Sequence, residues 1–212
     1  TVPTTQPLHY PTEDHPVPPF VVGLWYMCKR TRGAFKRHEE TYTDVQKKLR
    51  SVGYYAKTLP RDRFEIRPTL KFAFLTRYAV VPSTIPQEYL VGSPEQRLEL
   101  LRGVLWGKPN IYNKDKGRYE LLTRDWRFLL QIQQVCESLG IKTTVKYLKA
   151  YKIHGLIFKT TLDLMPGMQK TELGGANRRR FIKKIEQIEP QPCVHVVTEG
   201  AFLAGEGFIQ VC

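Results

Sequence analysis

No stretch of this 212-residue chain approaches the ~20 consecutive apolar residues that a membrane-spanning helix requires. The N-terminal TVPTTQPLHYPTEDHP has no basic-then-apolar pattern of a secretory signal. The four cysteines, Cys28, Cys136, Cys193 and Cys212, are widely spaced and form no C-x-x-C pair, which leaves disulfide and zinc frameworks without support. Reduced thiols and an intracellular location are the expectation. His9, His15, His38, His154 and His195 show no metal-ligand spacing, and Cys193 with His195 on one strand face reads as structural. No metal and no cofactor are expected. Acidic residues are also scarce: 20 Asp and Glu stand against 33 Lys and Arg, a net charge of +13. Such an excess attracts polyanions, since each phosphate neutralised releases counterions. A basic surface that binds nothing is the alternative. A membrane surface fits less well, because no basic amphipathic helix stands out. The first residue is threonine rather than methionine, so a fragment or processed product of a larger parent protein is expected.

The apolar fraction of 42% is ordinary for a globular protein, and the length suits one large or two small domains. Residues Thr1–Pro19 hold six prolines and read as an extended lead-in. A helix is expected from the Pro18–Pro19 pair to about Cys28, followed by a basic stretch. Next come a strand over Gly33–Glu39, a helix over about Thr43–Val52 stopped by Gly53, and strands Tyr54–Leu59 and Arg63–Leu75 joined by Pro60–Asp62. Past Pro82 and Pro86, Ser93 reads as an N-cap with Pro94 in the first turn, and Leu98, Leu100, Leu101, Val104 and Leu105 give a helical apolar face. The order then repeats: strand Arg118–Leu122, a helix capped by Asp125 and stopped at Gly140, and strands Ile141–Leu148 and Lys152–Leu162. Two similar halves in one chain are expected. A basic segment, Arg178–Lys184, opens a tail that reads as β after Pro192.

Two nonapeptides stand at matching places in this order: Val21–Lys29 (VVGLWYMCK) and Leu101–Pro109 (LRGVLWGKP). Both resemble the paired LAGLIDADG helices of homing endonucleases. Ile85–Val104 (IPQEYLVGSPEQRLELLRGV) resembles the approach to the second such helix in intein-encoded members, and Glu120–Gly140, ending in SLGI at Ser138–Ile141, resembles the helix that follows. Phe202–Ile209 (FLAGEGFI) resembles a closing strand of the intein splicing (Hint) domain. Two unrelated apolar core helices are the competing reading.

The resemblance implies an α+β fold with two pseudo-symmetric αββαββ halves forming a β-saddle, plus a β-rich intein-like C-terminal segment. The expected boundaries are 1–19 for the lead-in, 20–81 and 82–172 for the halves, and 173–212 for the Hint-like tail. Gly23, Gly103 and Gly107 would let the two helices approach, while Met27 replaces a small residue in the first. In the family, the eighth position of each nonapeptide is a carboxylate that holds Mg²⁺, a hard cation that needs oxygen ligands. Here those positions are Cys28 and Lys108, and Asp14 and Asp115 lie nearby only in sequence. The resemblance therefore implies a nuclease scaffold without cutting activity. Lys108 would stand beside a DNA phosphate, or be an ordinary solvated cation at a helix end.

Double-stranded DNA is the implied partner, bound by a monomer through its saddle strands. The candidate contacts are Lys36, Arg37, Arg63, Arg67, Lys71, Lys108, Lys114, Lys116, Arg118, Lys142, Lys146, Lys149 and Lys152, with Tyr112, Tyr147 and Tyr151 interleaved. Arg178, Arg179, Arg180, Lys183 and Lys184 would add phosphate contacts or line an exposed helix. Self-splicing is not expected: Gln210, Val211 and Cys212 stand where the family needs His-Asn and the following nucleophile, and the N-terminal block is missing. An endonuclease with displaced metal ligands and a structural or protein-interaction domain are the competing functions. A phage or microbial DNA-processing protein is the implied parent.

Overall fold

In a computed structural model, the structure describes residues 2–3, 6–28, 35–36, 39–61, 63–67, 84–108, 111–165, 179–180, 202–204 and 209–211. The strands are β1 (Val2–Pro3), β2 (Phe35–Lys36), β3 (Tyr55–Leu59), β4 (Arg63–Arg67), β5 (Tyr112–Asn113), β6 (Arg118–Thr123), β7 (Thr143–Leu148), β8 (Ile153–Phe158), β9 (Arg179–Arg180), β10 (Phe202–Ala204) and β11 (Ile209–Val211). The helices are α1 (Pro19–Cys28), α2 (Glu39–Ser51), the single turn α3 (Gln87–Leu90), α4 (Pro94–Trp106) and α5 (Trp126–Ser138).

Local chemistry sets the helix ends. Pro18 accepts from the Val21 and Val22 amides at 2.9 and 3.2 Å, opening α1 on two prolines that have no amide to lose. Its sequence PFVVGLWYMC is apolar on every side, as suits a helix inside a core. Phe20, Val21, Val22, Leu24 and Tyr26 are all buried. At the start of α4, the Gln96 amide donates to Ser93 Oγ at 3.4 Å and the Ser93 amide donates to Gln96 Oε1 at 3.0 Å. This reciprocal pair satisfies two donors that the first turn leaves open. Ser93→Ala should therefore lower stability by about 1 kcal/mol, read as an earlier urea midpoint with an unchanged slope. An unshifted midpoint would show that the cap contributes nothing. Asp125 caps α5 by accepting from the Phe128 amide at 3.1 Å. Gly140, at φ +75°, ends it in the left-handed region that glycine enters without strain.

Helices α1 and α4 cross through their glycines. A Cβ on Gly23 would stand 2.1 Å from the Leu100 carbonyl oxygen and 2.9 Å from the Val104 nitrogen. A Cβ on Gly103 would stand 2.1 Å from the Phe20 carbonyl oxygen and 2.8 Å from the Leu24 nitrogen. Each glycine thus meets the partner backbone three residues before and one after the partner's own glycine. That reciprocity is what a two-fold relation between the helices produces at this contact.

The sheets repeat as well. One has the order β2-β4-β3, and the other β5-β6-β8-β7, all antiparallel. In both, the strand that precedes the second helix of its half (β2 before α2, β6 before α5) pairs with the last strand, which pairs with the one between. The second sheet adds β5 at its edge. Two smaller antiparallel pairs join β1 to β9 and β10 to β11. The β-rich tail expected after Pro192 is described only in β10 and β11.

One expectation needs correction, and two features stand outside the expectations. Among the described residues of Gly33–Glu39, Phe35–Lys36 forms a strand and Glu39 already begins α2, four residues before the expected start. Among the described residues the first half holds one strand between its helices rather than two. Strand β5 has too few residues to carry any periodicity and exists by pairing with Tyr119 and Arg118 across a turn. The lead-in is extended, as expected, and it is docked. The Leu8 amide donates to the Ser138 carbonyl at 2.8 Å, His15 stacks on Tyr89 with centroids 4.2 Å apart, and Tyr89 Oη donates to the Val17 carbonyl at 2.9 Å.

Arg97 anchors this strap. It is fully buried, and its guanidinium donates to the carbonyls of Gly92 and Ser138, each at 2.8 Å, and to that of Leu8. The ring of Tyr10 lies 5.0 Å from its Cζ. Burial holds its pKa below the usual arginine value.

Candidate nucleic-acid interface

Side chains alternate across a strand, so pairing register decides which residues share a face. In the first sheet Phe64 and Ile66 are buried. Their neighbours Arg63, Glu65 and Arg67 project from the opposite face, opposed in register by Leu59, Lys57 and Tyr55. In the second sheet Tyr119, Leu121, Leu156 and Phe158 are buried. The other face carries Arg118, Glu120 and Leu122 on β6, Ile157 and Gly155 on β8, and Thr144 and Lys146 on β7. Helix α2 packs against β3, and α5 against β7 and β8. Each sheet therefore has one face turned to helices and one face turned outward.

The outward faces share an electrostatic pattern. Arg67 pairs with Glu65 at 2.9 Å, and Arg118 with Glu120 at 2.7 Å, each within one strand at i±2. Ion pairs at this level of exposure are worth about 0–1 kcal/mol, so a phosphate could replace the glutamate at small cost. Lys57, Arg63 and Lys146 are exposed on the same faces and form no ion pair among the described residues.

The predicted contacts distribute unevenly around these faces. Arg63, Arg67, Arg118 and Lys146 lie on them. Lys114 and Lys116 occupy the β5–β6 turn, and Lys142 precedes β7. Lys149 sits in the 3₁₀ turn Lys149–Tyr151, and Lys152 follows it at φ +49°, so neither is a strand residue. Lys36 lies in β2 and Cys28 ends α1, with both side chains outside the described part. Arg37 and Lys71 lie outside the described residues, as do Arg178, Lys183 and Lys184; Arg179 and Arg180 form β9. Gly107 is the C-cap of α4, half-buried at φ −74°. Lys57 was overlooked among the contacts, although its alternation with Tyr55 and Leu59 was readable in the expected strand.

Lys108 lies just past α4, half-buried, and its ammonium donates to the Leu122 carbonyl of β6. This contact ties the end of a core helix to the sheet whose outward face carries Arg118 and Lys146. An ammonium and a thiol, at Lys108 and Cys28, do not fit Mg²⁺, which demands hard oxygen donors. Among the described residues no three His, Cys, Asp or Glu side chains gather as a metal site. Cys136 is wholly buried, which pushes its thiol pKa up, the opposite of what a nucleophile needs.

No protein-family profile matches the chain, and no curated protein matches it. Solved structures do. The chain is similar to mesophilic variants of the homing endonuclease I-DmoI, with a TM-score of 0.44 and 10% identity over 68% of this chain and 91% of that one. It is also similar to a variant of I-DmoI in complex with its target DNA in the presence of magnesium: TM-score 0.41, 11% identity, 66% of this chain and 90% of that one. For I-DmoI in complex with DNA and manganese the values are 0.40, 11%, 66% and 90%. At such identity none of these proteins lends this chain a residue role.

Proposed function

We propose that this chain is a monomeric, intracellular module that binds double-stranded DNA along the outward faces of its two sheets, arranged as a saddle, and does not cut it. One observation carries the reading: the repeated strand order turns outward, in each half, a face with a strand arginine, a loosely paired glutamate and an unpaired lysine. A net charge of +13 supplies the long-range attraction. A two-stranded antiparallel ribbon fits the major groove, where side chains reach base edges and phosphates. The missing cleavage follows from donor chemistry, since Cys28 and Lys108 occupy the positions where the LAGLIDADG resemblance calls for carboxylates. A larger DNA-processing parent and a Hint-like tail belong to the same reading.

The test is a titration of a labelled 30-bp duplex across salt, with a parallel Mg²⁺ and Mn²⁺ digestion. Affinity should fall linearly on a log–log salt plot, and the duplex should stay intact. Reversing three charges, with Lys57→Glu, Arg63→Glu and Lys146→Glu together, should weaken binding by roughly tenfold or more at low salt. No binding at low salt removes the nucleic-acid reading. Specific metal-dependent cuts overturn the inactive one.

A further inference from the structure

The tip of the β7–β8 hairpin carries a second pattern, on the opposite side of the sheet from Lys146. Thr123, His154 and Tyr147 share one register row, and Trp126 opens α5 beside it. The His154 ring stands between two others: Trp126 at 4.8 Å and Tyr147 at 4.9 Å between centroids. Tyr147 is 52% exposed, Trp126 43% and Tyr151 71%. Single exposed aromatics need no explanation, but a cluster of them at one tip does. Around these rings stand Arg124, Arg127, Lys149 and Lys152, all exposed and without an ion pair among the described residues.

We infer that this tip is a stacking platform for an unpaired DNA strand. The ring faces decide against a duplex here: in paired DNA the flat faces of the bases are occupied by their neighbours, whereas an unpaired base offers its face to an aromatic ring. The surrounding cations match the backbone that such a strand brings. Tyr147 is braced by His154, and Tyr151 is held in a 3₁₀ turn closed by the Lys152 amide donating to the Lys149 carbonyl at 3.3 Å. The Tyr147 ring is thus set before a base arrives, which lowers the ordering cost of binding. The choice of DNA over RNA rests on the duplex reading above.

The test uses the full chain and three labelled probes: dT20, rU20 and a blunt 20-bp duplex. Tyr147→Ala with Tyr151→Ala should weaken dT20 binding by about tenfold or more and change duplex affinity less than twofold. The matching phenylalanine pair should keep dT20 affinity within about threefold, because the ring and not the hydroxyl does the stacking. Both tyrosines are exposed, and a thermal melt checks that each variant folds. Unchanged dT20 affinity, or equal losses on dT20 and duplex, would overturn the platform. Tighter binding of rU20 than dT20 by the parent chain would overturn the assignment to DNA. Duplex affinity of the parent chain separately reads the earlier proposal, so the two can fail independently.

Discussion

Gly103→Ala lowers the unfolding free energy by about 3 kcal/mol, although alanine is the better helix former by ~1 kcal/mol. The added methyl would stand 2.1 Å from the Phe20 carbonyl oxygen and 2.8 Å from the Leu24 nitrogen. Both are backbone atoms, so no rotamer change relieves the overlap and the helices must separate. Separation opens the contact around Phe20, Leu24, Leu100 and Val104, all buried, and loosens packing over the whole crossing. Gly23→Ala costs a similar amount for the same reason. Because both changes spread one crossing, the double variant should lose clearly less than the sum of the singles. Urea unfolding of the four proteins measures this. Gly53→Ala is the control: its φ of +81° strains alanine, but no atom lies within 4 Å of a Cβ there, so a loss of only ~1 kcal/mol is expected. Equal losses at Gly53 and Gly103 would contradict the close approach.

Arg97→Met removes about 1–3 kcal/mol and releases the N-terminal strap. Three backbone carbonyls, on Leu8, Gly92 and Ser138, accept from the one guanidinium. They come from the lead-in, the entry to α4 and the end of α5. Methionine fills comparable volume but leaves those acceptors without this donor in a buried place. Arg97→Lys should recover little, because one ammonium cannot reproduce the planar fork. Limited proteolysis with mass spectrometry should show new cuts within residues 6–17 in both variants, and denaturation should give the matching loss. Stability equal to the parent chain would show that the strap is held by other contacts. The Gln96 amide is the next candidate, since its Nε2 donates to the Glu13 carbonyl at 2.6 Å and its Oε1 accepts from the Glu13 amide at 3.0 Å.

Much of the helical framework was legible residue by residue. Ser93, Pro94 and Gln96 mark the start of α4, and Asp125 and Gly140 bracket α5, because caps and stops depend on atoms a few residues apart. The expected start of α2 at about Thr43 lies four residues past the observed one at Glu39. Strand β5 and the docking of the lead-in were beyond reach for separate reasons. Strand β5 is two residues long and carries no pattern of its own, although its partners Tyr119 and Arg118 are near in sequence. The lead-in is held by distant partners: Arg97 bonds Leu8 across 89 positions and Ser138 across 41.

The candidate site divides in the same way. Basic composition and the two glycine-bearing nonapeptides were evident at once, but a list of lysines and arginines carries no faces. Pairing register sorts Arg63, Arg67, Arg118 and Lys146 onto the outward surfaces, adds Lys57, and moves Lys149 and Lys152 to a hairpin tip.

By itself, the amino-acid sequence determined the charge, the boundaries of α4 and α5 and the residues at the two nonapeptide ends, Cys28 and Lys108. These are properties of composition and of short-range hydrogen bonding, and they need no partner. The tertiary structure alone decided that Gly23 and Gly103 meet reciprocally, that Arg97 gathers three distant carbonyls, and that Trp126, His154 and Tyr147 form one cluster. Each of these is a contact between segments far apart in the chain. Its energy depends on distances of a few ångströms, which appear only when the backbone is folded.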